Sequence, residues 1–168
     1  MKWPDIIKAA ERKVEELRRA RELLKYETEM AEEAKGGKWG RSCVFFPITK
    51  TVGVKIYVKY WGKNFKDSLM FTTTLAAEKM APPVFFSKEY DDYGIMIVGI
   101  GEYLPDEAAY ADEIEADLMK QFHPRLRQML RFVKNRWGYM PEFAEDYSEK
   151  NFGLYCGKLV YLDCNVDN

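Results

Sequence analysis

Three polar residues towards the C-terminal end are spaced as a metal-binding or catalytic set would be: Asp146, Asn151 and Asp163. Asn151 follows Asp146 by five positions, and Asp163 lies past two short apolar runs, Gly153–Tyr155 and Lys158–Leu162, joined at Cys156-Gly157. A loop followed by a hairpin folds such residues towards one point. Two carboxylates and an amide oxygen are hard donors, which suit Mg²⁺ carrying a phosphate. One acid could instead stay off the metal and accept a proton from a hydroxyl. The plain alternative is that Asp146 and Asn151 close turns, which both residue types do well. Asp163 also lies near Asp167, in a polar stretch of the kind that frays.

A second group with chemical potential is Lys55. From Val52 to Tyr60 the sequence alternates, with Val52, Val54, Ile56, Val58 and Tyr60 on one face and Gly53, Lys55, Tyr57 and Lys59 on the other. Lys55 is then either a solvated strand lysine or a cation placed to hold an anion. His123, the one histidine, precedes Pro124 and reads as a helix-start or packing residue. Cys43, Cys156 and Cys164 lack C-x-x-C spacing, so a zinc site is not expected. Without a neighbouring base or cation, Cys164 is not expected to be reactive. A reduced, cytoplasmic protein is the expectation. Trp39, Trp61 and Trp137 read as core or interface anchors.

The elements that must position these groups follow from periodicity. Residues 5 to about 35 read as one long helix, with Asp5 as its cap and Gly36-Gly37 as its stop. Its narrow stripe, Ile7, Ala10, Val14, Leu17, Leu24 and Ala31, could pack on its own domain or form a homodimer through the N-terminal helix. Cys43–Phe46 and Val52–Tyr60 read as strands, 65–80 as a helix ended by Ala81-Pro82-Pro83, and Val84–Ser87 and Ile95–Gly101 as two further strands. Leu118, Met119 and Phe122 form an apolar cluster before His123-Pro124. Leu126, Met129, Leu130 and Val133 then repeat at helical spacing, which predicts a fresh helix after the proline, ending near Gly138.

Composition bounds the answer. Hydrophobic residues make up 47% and aromatics 15% of the 168, enough to exclude a disordered chain. The net charge of −1 argues against a nucleic-acid or anionic-membrane protein tuned over its whole surface, leaving room for a local basic patch. No apolar run approaches the ~18 residues of a membrane span. The start, Met1-Lys2-Trp3-Pro4-Asp5, turns charged at once, so no secretory signal is expected.

In this order the elements resemble the protein-kinase-like family, whose catalytic loop H-R-D-x-x-x-x-N leads through a hairpin to D-F-G. The resemblance puts Asp146 at the catalytic base and Asn151 and Asp163 at the Mg²⁺ ligands. Val52-Gly53-Val54-Lys55 looks like the V-A-I-K strand, making Lys55 the phosphate-binding lysine. Gly37 and Gly40, within Gly36–Ser42, would belong to a loose glycine-rich loop, and Ala81–Val84 looks like the turn into the fourth strand of atypical small-molecule kinases. Backbone around Gly99–Tyr103, including Gly101, Glu102 and Tyr103, would meet the adenine. The implied fold is α+β: an N-terminal helix (1–35), a small antiparallel sheet lobe with an inserted helix (36–104), and a truncated helical lobe ending in a β-hairpin (105–168). Reduced members of this kind resemble the small kinase-like proteins of phages and other compact genomes.

The departures from the family pattern are specific. Ala144 and Glu145 stand where histidine and arginine precede the catalytic aspartate, and Asp163-Cys164-Asn165 replaces D-F-G. From Leu69 to Thr74 there is no acid to pair with Lys55. The sequence given ends five residues after Asp163, so neither an activation segment nor a peptide-docking platform is expected. The implied function is ATP/Mg²⁺ binding with phosphate transfer to a hydroxyl acceptor. The alternative is a pseudokinase acting through a protein partner, and a third reading is a helical dimerisation protein. No nucleic-acid binding is evident from the motifs.

Overall fold

The computed structural model describes residues 1–23, 38–39, 43–59, 64–103, 111–145 and 151–164. These form two compact units, one drawn from Met1–Leu69 and Pro83–Ile100, the other from Met70–Pro82 and Gly101–Cys164. The architecture is α+β. Among the described residues no helix is long and apolar enough to cross a membrane.

The first unit opens with helix α1 (Trp3–Leu23). Its five-stranded sheet contains β1 (Lys38–Trp39), β2 (Cys43–Pro47), β3 (Val52–Val58), β4 (Val84–Glu89) and β5 (Tyr93–Gly99). The order is β1-β2-β3-β5-β4, with every neighbouring pair antiparallel. Helix α2 (Phe65–Ala77) separates β3 from β4 in the chain.

Helix α1 starts two residues before the predicted cap. The Lys2 carbonyl accepts from the N–H groups of Asp5 at 3.0 Å and Ile6 at 3.1 Å, which puts Pro4 inside the first turn. Proline is at home there, because the first N–H groups have no helical partner to lose. Asp5 instead supplies a negative charge to the positive end of the helix dipole. The predicted continuation to residue 35 lies outside the described residues.

The alternation of β3 places Val52, Val54, Ile56 and Val58 in one cluster with Ile6, Ala10, Val14 and Leu17 of α1. Ala10, Val14 and Leu17 of the predicted stripe are therefore buried on this chain's own sheet, with Ile6 buried where the stripe has Ile7, which is only partly buried. Ile6, Val14 and Leu17 are each 5% exposed or less, and each such burial contributes about 1.5–3 kcal/mol. On the opposite face Tyr57 packs with Phe65, Met96, Val98 and Cys43, its ring 5.6 Å from that of Phe65. Both faces of β3 are thus covered, and all seven of its residues are buried.

Charged contacts tie α1 to the β4–β5 hairpin. Arg18 donates through Nε and Nη2 to the two carboxylate oxygens of Asp92, at 2.9 and 2.8 Å, and also pairs with Glu15. The Asp92 hydrogen bond raises the Arg18 pKa, so the guanidinium stays charged. Glu11 accepts from Lys88 Nζ at 2.8 Å and from the Tyr90 hydroxyl at 3.1 Å. The Lys88 hydrogen bond chiefly holds the Glu11 carboxyl below its ordinary value, as Lys59 does for Glu89. Folded values below the unfolded value of about 4.3 mean that these carboxylates stabilise fully above it. That contribution is lost as pH falls through the lowered folded values. We expect the melting temperature to fall between pH 5 and pH 3, and to fall less steeply in the Glu11→Gln/Glu89→Gln double variant.

The second unit holds β6 (Glu102–Tyr103), α3 (Ala111–Trp137), α4 (Glu142–Glu145), β7 (Phe152–Tyr155) and β8 (Lys158–Tyr161). Helix α3 runs straight through Pro124, where the sequence predicts a new start. Pro124 lies on the exposed side, where water can reach the carbonyl that loses its helical partner. Leu126, Met129 and Val133 anchor the opposite side in the core. The helix closes with Gly138 N–H donating to the Lys134 carbonyl at 2.8 Å.

The expected terminal hairpin is present and gains a third strand, giving the order β6-β7-β8. Its turn uses two positive φ angles, 51° at Cys156 and 75° at Gly157, the backbone twist that two-residue hairpins favour. Beneath the hairpin lies an aromatic core. Phe71 packs edge-on against Trp137 and Phe143, and Phe143 packs edge-on against Tyr161. Tyr161 N–H donates to the Met80 carbonyl at 2.8 Å, tying β8 to the turn after α2.

Candidate functional site

The hairpin positions two of the candidate residues together. Its ladder pairs Phe152 with Tyr161 and continues one step past the regular strands. There the Asn151 carbonyl accepts from Leu162 N–H at 2.7 Å and from Asp163 N–H at 3.4 Å. Two residues twelve positions apart in sequence are thereby joined through their backbones at the open end of β7–β8. Both are half-buried. A carboxamide and a carboxylate are both hard oxygen donors of the kind that Mg²⁺ takes. Among the described residues there is no cluster of three or more His, Cys, Asp or Glu able to hold a metal ion. Asp146, the third member of the set, lies outside the described residues.

In the other unit Lys55 occupies the middle of the central strand, paired with Phe45 on β2 and Met96 on β5. It is 8% exposed, which overturns the solvated-strand reading. Alternation told which face Lys55 takes, but that face carries the aromatic layer of Tyr57 and Phe65 and is closed to bulk water. A lysine in such a place is costly unless its charge is used.

Helix α2 offers little negative charge. Its one acid, Asp67, is tied to the residue that caps the helix: Asn64 Oδ1 accepts from Asp67 N–H at 3.0 Å, and Asn64 Nδ2 donates to the Asp67 carboxylate at 2.8 Å. The buried polar residues of α2 are Ser68 and Thr72.

The proposed adenine segment narrows. Gly99 N–H donates to the Pro83 carbonyl and Ile100 N–H to that of Thr51, both at 3.0 Å, so these two donors serve the first unit. In the second unit Glu102 pairs with Leu154 and Tyr103 with Gly153. Strand β6 is an edge of its sheet, and an edge strand has one row of backbone groups facing away from its neighbour. Gly101 is half-buried against the Leu162 side chain, and Glu102 is exposed. Gly37 and Gly40 lie outside the described residues.

No protein-family model matches the chain, and no curated protein matches it either.

Proposed function

We propose that this chain is a divergent kinase-like protein that binds ATP with Mg²⁺. The observation that carries the reading is the junction of Asn151 with Asp163 at the open end of a hairpin. Those are the two positions at which the family template puts its metal ligands. Supporting it are Lys55, buried on the central strand of an antiparallel sheet, and a helix inserted after that strand. In this reading Lys55 holds the nucleotide phosphates, and Asn151 and Asp163 hold the metal. When bound, the metal supplies charge neutralisation for the phosphates. The outer edge of β6 receives the adenine, and Asp146 orients an acceptor hydroxyl and takes its proton. Positioning and charge neutralisation provide the rate gain.

The composition of α2 favours a second reading, nucleotide binding without efficient transfer. Its single acid is committed to the helix cap, so α2 brings no glutamate to orient Lys55. A pseudokinase acting through a protein partner would retain binding alone.

Thermal unfolding with ATP, with and without Mg²⁺, tests the first claim. Nucleotide at a hundredfold excess over Kd should stabilise the folded chain by about 2.7 kcal/mol. We expect a Mg²⁺-dependent rise in melting temperature that Asp163→Ala abolishes. No shift at millimolar nucleotide would overturn the nucleotide reading. Where the shift is present, an assay for ADP release separates transferase from binding module.

A further inference from the structure

From Leu118 to Pro141 the chain holds six cations, Lys120, Arg125, Arg127, Arg131, Lys134 and Arg136, and no acid, although its net charge is −1. The unbroken course of α3 through Pro124 gives this segregation a geometry. At about 100° per residue, Lys120, Arg127, Arg131 and Lys134 fall within an arc of about 60°. At 1.5 Å per residue the row extends over roughly 21 Å. All four are exposed, on the side of the helix opposite Leu126, Met129 and Val133. None of the four forms an ion pair among the described residues. Arg125 is different: it donates to the Lys79 carbonyl at 2.7 Å and to Gln128 at 2.9 Å, a structural use.

Beside the row lies an open groove of about 360 Å³, lined by Pro124, Arg127, Gln128, Arg131, Phe132 and Asn135. Two guanidinium groups, two side-chain amides and a partly buried ring thus share one concave strip. Just past the helix end stands Tyr139, 57% exposed.

We propose that this face of α3 binds single-stranded nucleic acid, with the cation row along the phosphates and Phe132 and Tyr139 available to bases. A row of cations along one helix face matches a linear polyanion, and neighbouring amides and rings are what an unpaired strand can use. A membrane surface fits less well. Leu126, Met129 and Val133 are buried in the core and Leu130, Phe132 and Trp137 are partly buried, so the exposed cation face has no hydrophobic stripe to insert. An acidic protein segment would use the cations and leave the rings without a role. The proposal is independent of the nucleotide reading, since it draws on none of Lys55, Asn151 or Asp163.

Fluorescence anisotropy of a labelled single-stranded 20-nucleotide RNA, titrated with the full chain across a salt series, tests it. Four phosphate contacts predict a slope of about −2.8 in log K against log salt, a loss of roughly 50-fold between 50 and 200 mM. Arg127→Gln/Arg131→Gln should reduce that slope to about −1.4, and Lys50→Gln, an exposed lysine of the other unit, should leave it unchanged. Phe132→Ala should weaken binding without altering the slope. Circular dichroism of each variant separates lost binding from lost folding, and Lys120→Gln/Lys134→Gln repeats the test at the other end of the row. No binding at 50 mM salt, or a slope indifferent to the arginine pair, would overturn the proposal. So would equal competition by polyglutamate, which points to an acidic protein. Tighter binding to phosphatidylserine vesicles than to RNA would overturn it in favour of a membrane surface.

Discussion

Gly153→Ala should remove about 3 kcal/mol of stability, read as a lower urea midpoint and loss of near-ultraviolet signal from the aromatic core. Gly153 lies on β7 opposite Tyr103 of β6. A β-carbon there would collide with the Leu162 side chain and with the Glu102 carbonyl oxygen. The leucine can rotate away, but the oxygen belongs to the β6 backbone and can retreat only by breaking its pairing with β7. Leu162 also makes the shorter of the two N–H bonds to the Asn151 carbonyl. Damage at Gly153 therefore spreads to the Asn151–Asp163 junction. Gly157→Ala is the matched control. Nothing lies within 4 Å of its added carbon, and the cost is the positive φ of 75° alone, about 1–2 kcal/mol. Equal losses in the two variants would mean that turn strain, not strand crowding, sets the effect.

The second large effect is a gain. Lys55→Met should stabilise the chain by about 1 kcal/mol in the absence of ligand, because it removes a buried charge and keeps a similar length of side chain. The same variant should lose the Mg²⁺-ATP shift. A stabilised protein that no longer responds to nucleotide would separate the role of Lys55 in binding from any role in folding. A destabilised one would show that its buried contacts hold the sheet together.

Much of the fold was legible because its signals are local. The alternation of Val52, Val54, Ile56 and Val58 marks β3 and its face, and Cys156-Gly157 between two apolar runs marks the hairpin. That hairpin joins the backbones of Asn151 and Asp163. Burial of Lys55 was not legible, because alternation assigns a face without saying whether another layer covers it. The course of α3 was misread for a different reason. Proline penalises a helix interior, but the apolar anchors beyond Pro124 outweigh one lost hydrogen bond. Dividing the helix there separates Lys120 from Arg127 and Arg131, which hides the cation row. The absence of acids between Leu118 and Pro141 was the signal that could have found it.

The bond from Tyr161 N–H to the Met80 carbonyl spans 81 positions of chain. During synthesis at about 5–20 residues per second, Met80 waits roughly 4–16 s for its partner to be made. Met80, buried in the finished protein, spends that interval without Tyr161, and Phe71, also buried, spends most of it without Trp137 and Phe143. The nascent chain thus passes through a stage lasting seconds in which its first unit can fold while this apolar segment remains available to holding chaperones or to neighbouring chains on the same message.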